Sequence, residues 1–161
     1  MEDKESPKVT GVSDITGKIV RVRHAEESDM VFIEKQMRER KLDTTDLNYQ
    51  EFVVATEDRD LIGFGRLRQR CNVCEIGCIV VIEEKRRQKT GTLIVRHLID
   101  YAPANKVYVM TDRIDFFAEL GFVRVKGDAQ EYFDSLGLAA FECVPQRKKK
   151  TVLMTYEKKG T

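Results

Sequence analysis

Alternating apolar and polar positions divide the chain into short elements. Residues 18–23 interleave Ile19, Val20 and Val22 with basic side chains, which predicts a first strand. Before it, residues 1–17 are polar, carry Pro7, Gly11 and Gly17, and read as a flexible leader. Ser28 or Asp29 can cap a helix running through Met30, Ile33, Glu34 and Met37. A second short helix or loop follows at residues 44–49. Three apolar runs, residues 52–55, 61–68 and 75–82, are separated by a charged turn at 57–60 and a Cys/Asn turn at 69–73, the pattern of an antiparallel meander.

Beyond a basic loop, Leu93, Ile94, His97, Leu98 and Tyr101 recur at helical spacing as far as Pro103. Residues 107–110 predict a strand, and 114–120 a helix stopped by Gly121. A strand at 122–125, a short helix at 129–136 and a last strand at 151–157 complete the chain. The resulting order is β-α-α-β-β-β-α-β-α-β-β. It predicts an α+β fold, with one mixed, mostly antiparallel sheet flanked by helices on both faces. Neither a repeat nor a linker divides residues 18–161, which read as one domain.

The candidate chemistry sits where the third strand of the meander gives way to a helix. Val81 leads into Glu83-Glu84-Lys85-Arg86-Arg87-Gln88-Lys89-Thr90-Gly91-Thr92, an apolar strand followed by a basic, glycine-containing loop and an amphipathic helix. A helix N-terminus offers unpaired N–H donors and the positive end of the helix dipole, and both attract phosphate. Arg86, Arg87 and Lys89 add charge at the same place. The whole chain is close to neutral, with 28 Lys and Arg against 27 Asp and Glu, so this basic patch is local. Global charge therefore points to neither a nucleic-acid nor a membrane partner.

Apolar residues at 42% and charged residues at 34% fit a soluble globular domain. No apolar run approaches the roughly 20 residues of a membrane span. The charged first residues lack the core of a secretory signal, so a cytoplasmic location is expected. In that compartment Cys71, Cys74, Cys78 and Cys143 are expected as thiols rather than disulfides. Cys71 and Cys74 have the spacing of half a zinc site or of a redox pair. Cys74 and Cys78, however, are about 13 Å apart along an extended strand. Two thiolates on one zinc cannot be more than about 4.6 Å apart, so no metal site is assigned.

Three segments, in this order, resemble the GNAT (GCN5-related) N-acetyltransferases: residues 75–81, residues 81–92, and Phe116-Phe117-Ala118-Glu119-Leu120-Gly121-Phe122. The resemblance spans residues 18–157, and its last part is closest to the amino-acid acetyltransferase branch. It implies a GNAT fold and an acetyl-CoA-dependent transfer of acetyl to a primary amine of a small molecule or protein, directly in a ternary complex. It also implies a monomer or homodimer.

By the same resemblance, Arg86, Arg87, Gln88, Lys89, Thr90, Gly91 and Thr92 hold the pyrophosphate of acetyl-CoA. The backbone of Ile79, Val80 and Val81 pairs with the pantetheine arm and holds the thioester oxygen. Glu75 acts on the amine through water. Lys89 replaces the motif's first glycine, and Phe117 stands where many relatives carry a proton-donating tyrosine. Val109-Met110-Thr111 stands in place of the usual asparagine. These departures motivate an alternative, a catalytically degenerate GNAT fold that binds acyl-CoA or a partner. His24 and His97 are expected as packed residues rather than bases. Arg66, Arg68 and Arg70 share one strand face by parity, either to hold a substrate carboxylate or as a solvated face. The basic run at residues 147–150 is read as a solvated lead into the last strand.

Overall fold

The computed structural model describes residues 10–13, 17–70, 73–127 and 151–159. Cys71, Cys143, the helix expected at 129–136 and the basic run 147–150 lie outside the described residues, as does the side chain of Arg70. Among the described residues, eight strands and three α-helices follow one another as β1 (Thr10–Ser13), β2 (Ile19–His24), α1 (Met30–Glu39), β3 (Phe52–Glu57), β4 (Asp60–Arg70), β5 (Val73–Val81), α2 (Thr90–Tyr101), β6 (Lys106–Thr111), α3 (Ile114–Glu119), β7 (Val123–Arg124) and β8 (Val152–Glu157). They form one sheet in the order β1-β2-β3-β4-β5-β6-β8-β7. Among the described residues, only β5 and β6 pair in parallel. The crossover between them is α2, as a parallel connection requires.

The sheet separates two cores, so the expected α+β arrangement with helices on both faces is what forms. On one face Ile94, Val95, Leu98 and Ile99 of α2 and Phe117 of α3 pack on Val53, Ala55, Ile76, Val107 and Val109. On the other, Ile33 and Met37 of α1 pack on Phe52, Val54, Phe64 and Val80. Gly121 adopts φ +99° just past α3, the left-handed conformation expected of a C′ glycine.

Two local expectations are corrected, and between them a third is decided among its alternatives. Within the segment read as a leader, Thr10–Ser13 pairs antiparallel with Ile19–Val22 as an edge strand. A four-residue edge strand needs only backbone pairing on one side, so it leaves no run of apolar positions. Of the short helix or loop expected at residues 44–49, the loop is what forms, as far as Asn48. A single 3₁₀ turn, Tyr49–Glu51, ends that loop, opened by the Asn48 side chain accepting from the Gln50 amide. Asp29 stands at the N-cap of α1, but its carboxylate makes no cap bond there. It accepts from the Glu26 amide at 2.7 Å and pairs with Arg23 at 2.7 Å. Among the described residues, no helix is long and apolar enough to cross a membrane.

His97 is buried on α2. Its ring lies 5.7 Å from that of His24, which in turn meets Tyr101 at 4.2 Å. Burial lowers the pKa of both histidines below 6.5; in His97 repulsion from His24 adds to it and Asp100 opposes it. Below pH 6.5 the unfolded chain therefore binds protons that the folded one resists. The stability gained by keeping the pair neutral is complete above that pH and is lost as pH falls toward the folded-state values. Urea midpoints are expected to drop as pH falls below 6.5, and to drop less in His97→Gln. Equal slopes in the two proteins would remove the pair as the cause.

Candidate active site

A cleft opens because two neighbouring strands part. The parallel pairs between β5 and β6 are Cys74 with Val107, Glu75 with Tyr108, and Ile76 with Val109, and they stop there. Beyond that point β6 continues beside β8 through Met110 and Thr111, while β5 stays with β4. The space between them is about 950 Å³, lined on one side by residues 75–81 and on the other by residues 109–113, Phe116 and Phe117.

A β-bulge drives the parting. Pairing along β4 and β5 steps from Phe64 with Val80 to Arg66 with Gly77, so β5 spends one residue more than β4 over that interval. Cys78 takes up the extra residue at φ 52°, in the left-handed region. A bulge bends its strand and increases its twist. It also exchanges the faces: Cys74 and Ile76 belong to the α2 side, whereas Cys78 and Val80 belong to the α1 side. The two described thiols thus lie in different cores.

The bulge also decides which backbone groups face the cleft. The Ile82 amide donates to the Ile62 carbonyl at 2.9 Å. Antiparallel pairs alternate, so Phe64 and Val80 bond one another, whereas the N–H and C=O of Val81 turn away from β4. The Val81 carbonyl accepts from Arg86 Nε at 3.1 Å. Of the three residues expected to present backbone to a ligand, Ile79 and Val81 suit the role. Val80 is the correction: its polar backbone groups serve the β4 ladder, and its side chain packs against the α1-side core.

The basic loop closes one end of the cleft. Lys89 is the N-cap of α2 at φ 65°, and Arg87 has φ 64°. Lys89 makes no side-chain cap bond, and helix geometry leaves the N–H groups of Thr90, Gly91 and Thr92 without intrahelical acceptors. Thr90 is only 2% exposed, and its Oγ1 has no hydrogen-bond partner among the described residues. Such a buried hydroxyl is costly unless something pairs with it. Arg86, Arg87, Lys89, Thr90, Gly91 and Thr92 all line the cleft; Gln88 does not. Lys85, which sequence reasoning left unassigned, lines it too, with its ammonium 2.6 Å from the buried carboxylate of Glu57. That pairing joins residues 28 positions apart, and no local pattern reports it.

At the narrow end Glu75 lines the cleft and is 2% exposed. Its cross-strand neighbours are Arg68 on β4 and Tyr108 on β6. Arg66 fits neither role read from its parity. It is buried, pairs with Glu51 at 2.6 Å, donates to the Asp46 carbonyl at 3.2 Å and lies over the Phe52 ring. It is thus an internal strut that ties the 46–51 loop to the sheet. Arg68 is half-buried. Phe117 is buried against Phe116 and Phe122 and brings no proton donor to the cleft.

A mixed sheet whose parallel pair splays at a bulge, with a helix N-terminus aimed into the gap, defines an acetyltransferase architecture. The chain belongs to the acetyltransferase (GNAT) family, whose family model matches residues 19–122. Among solved structures it is similar to Rv2747 from Mycobacterium tuberculosis, at 25% identity and a TM-score of 0.67, covering 84% of this chain and 98% of that one. It is also similar to N-acetylglutamate synthase from Neisseria gonorrhoeae, at 18% identity and a TM-score of 0.64, covering 86% of this chain and 35% of that one. The chain thus spans about a third of the synthase's length. A third is Naa50 from Arabidopsis thaliana, at 14% identity and a TM-score of 0.59, covering 86% of this chain and 98% of that one. No curated protein sequence matches.

Proposed function

We propose that the chain is an N-acetyltransferase that moves the acetyl group of acetyl-CoA directly to a primary amine. One observation carries the donor side. The unpartnered, buried Thr90 hydroxyl stands with the open N–H groups of α2 at the end of a cleft whose other wall is an unpaired strand edge. That combination suits a pyrophosphate joined to an amide-bearing arm. The Neisseria and Mycobacterium structures were solved with CoA, and the Arabidopsis one with a bisubstrate analogue, CoA-Ac-MVNAL. These partners support the reading of the cleft and suggest an amino acid or a protein N-terminus as acceptor.

In the proposed reaction Glu75 takes a proton from the incoming amine, directly or through water. The amine nitrogen bonds to the thioester carbon, and the carbon–sulfur bond breaks with its electron pair on sulfur. A cleft-facing N–H of Ile79 or Val81 holds the oxygen while it is negative. The test is release of free CoA thiol over a panel of amino acids, polyamines and peptides. Acetylated amine formed in step with thiol supports the reading. Binding of CoA without transfer to any amine would favour the degenerate alternative, for which Phe117 is the specific observation.

Lys89 supplies a further test. A non-glycine residue at positive φ costs about 1–2 kcal/mol. Lys89→Gly removes that cost but adds freedom to the unfolded chain, worth roughly 0.5–1 kcal/mol. The variant is therefore expected to match or slightly exceed the parent in stability, with acetyl-CoA affinity intact or tighter. A large loss of affinity would identify the Lys89 ammonium as a phosphate ligand.

A further inference from the structure

Phe117 leaves open how the departing sulfur is stabilised, and the end of β6 holds a hydroxyl placed for the task. Thr111 is the last residue of β6 and is 8% exposed. The last β5–β6 pair is Ile76 with Val109, so Thr111 lies two residues beyond it, level with Cys78 and the bulge across the gap. By strand parity it shares a face with Val107 and Val109, the face that Phe117 packs against. It lines the cleft together with Phe117.

The hydrogen bonding of Thr111 also has a direction. The Arg113 amide donates to Thr111 Oγ1 at 2.9 Å. A hydroxyl is both acceptor and donor. With an amide on its oxygen, the hydroxyl is held at a fixed point, and its own hydrogen is left to donate. Among the described residues nothing accepts that hydrogen.

We propose that the Thr111 hydroxyl donates a hydrogen bond to the sulfur of CoA as the carbon–sulfur bond breaks. This rests on the acetyl-CoA reading of the cleft. Thr111 does not give up its proton: the electron pair of the broken bond stays on sulfur as a thiolate, and water protonates it after release. The amine proton leaves separately, toward Glu75. Thr111 thus fills by hydrogen bonding the place that Phe117 cannot fill by proton transfer.

The test compares wild type, Thr111→Val and Thr111→Ser. Thermal unfolding establishes that each is folded, and calorimetry gives its affinity for acetyl-CoA. Ultraviolet difference absorbance then follows ionisation of the bound CoA thiol against pH, a readout that needs no turnover. A lost hydrogen bond to a charged group is worth about tenfold or more. In Thr111→Val the bound thiol is expected to ionise about one pH unit higher and kcat to fall about tenfold, with acetyl-CoA affinity unchanged. Thr111→Ser restores both. Should the thiol of folded Thr111→Val ionise where the wild-type one does, or Thr111→Ser behave like Thr111→Val, the hydroxyl has no such role. If wild-type protein binds no CoA at all, the reading of the cleft fails first, and this assignment with it.

Discussion

Glu75→Gln is expected to lower kcat about 100-fold while leaving acetyl-CoA affinity almost unchanged. The substitution keeps the side chain's shape and removes its charge, so it probes proton transfer rather than packing. Glu75 is 2% exposed at the narrow end of the cleft, on the strand whose further part faces the expected thioester. The loop proposed to hold the pyrophosphate lies past the other end of that strand, five residues and more beyond Val81. A loss confined to kcat therefore separates amine activation from donor binding. The pH profile adds a second reading: a limb of kcat/KM that belongs to Glu75 is absent from the variant. A variant as active as wild type at every pH would remove Glu75 from the mechanism.

Gly65→Ala is expected to destabilise the protein by overpacking the α2-side core. An alanine Cβ at this position would lie 2.6 Å from Ile94 Cγ2, 2.7 Å from Ile79 Cδ1 and 3.0 Å from Leu98 Cδ1. All three are side chains, but Ile94 and Leu98 are fully buried in the α2-side core and have little room to retreat. Overpacking of this kind costs about 1–3 kcal/mol. In a chain of this size that is a fall in Tm of a few degrees to about 10 °C. Gly65 lies opposite the bulge, so relief through Ile79 would also disturb a residue proposed to face the donor. Thermal unfolding with and without acetyl-CoA checks both effects. An unchanged Tm would show that the α2 packing yields more easily than its burial implies.

The sequence carries the sheet well because most strands bury an apolar face. The runs at Phe52, Leu61, Glu75 and Val107 needed only their periodicity to be placed, and Gly121 marked the end of α3 by the one conformation it favours. The missed pieces have a common cause, since none depends on local apolar pattern. β1 is held by backbone pairing to β2. The bulge at Cys78 uses a residue type with no preference for positive φ, so nothing announces that Val80 and Ile76 face opposite ways. Arg66 reads as a surface cation by its chemistry, yet Glu51, the Asp46 carbonyl and the Phe52 ring make it internal.

The candidate site divides in the same way. Its loop and helix start are contiguous, so the sequence alone marks them as a candidate phosphate cradle. The opposite wall comes from β6 and α3, and only the splay of β5 from β6 brings Thr111, Arg113 and Phe117 into one cleft with Glu75. The anchoring of Lys85 on Glu57 is likewise a product of tertiary packing. A motif can mark a candidate donor site, but the other groups that line the cleft come from separate elements.

The most direct test of the donor assignment is a calorimetric titration of the purified protein with acetyl-CoA, beside one with free CoA. Saturable binding of acetyl-CoA near or below about 10 μM, roughly −7 kcal/mol or stronger, and weakened when Thr90→Val removes the buried hydroxyl, is the expected result. Absence of heat with either ligand up to about 1 mM would contradict it, since a cleft with a working phosphate cradle and an open strand edge would then hold neither.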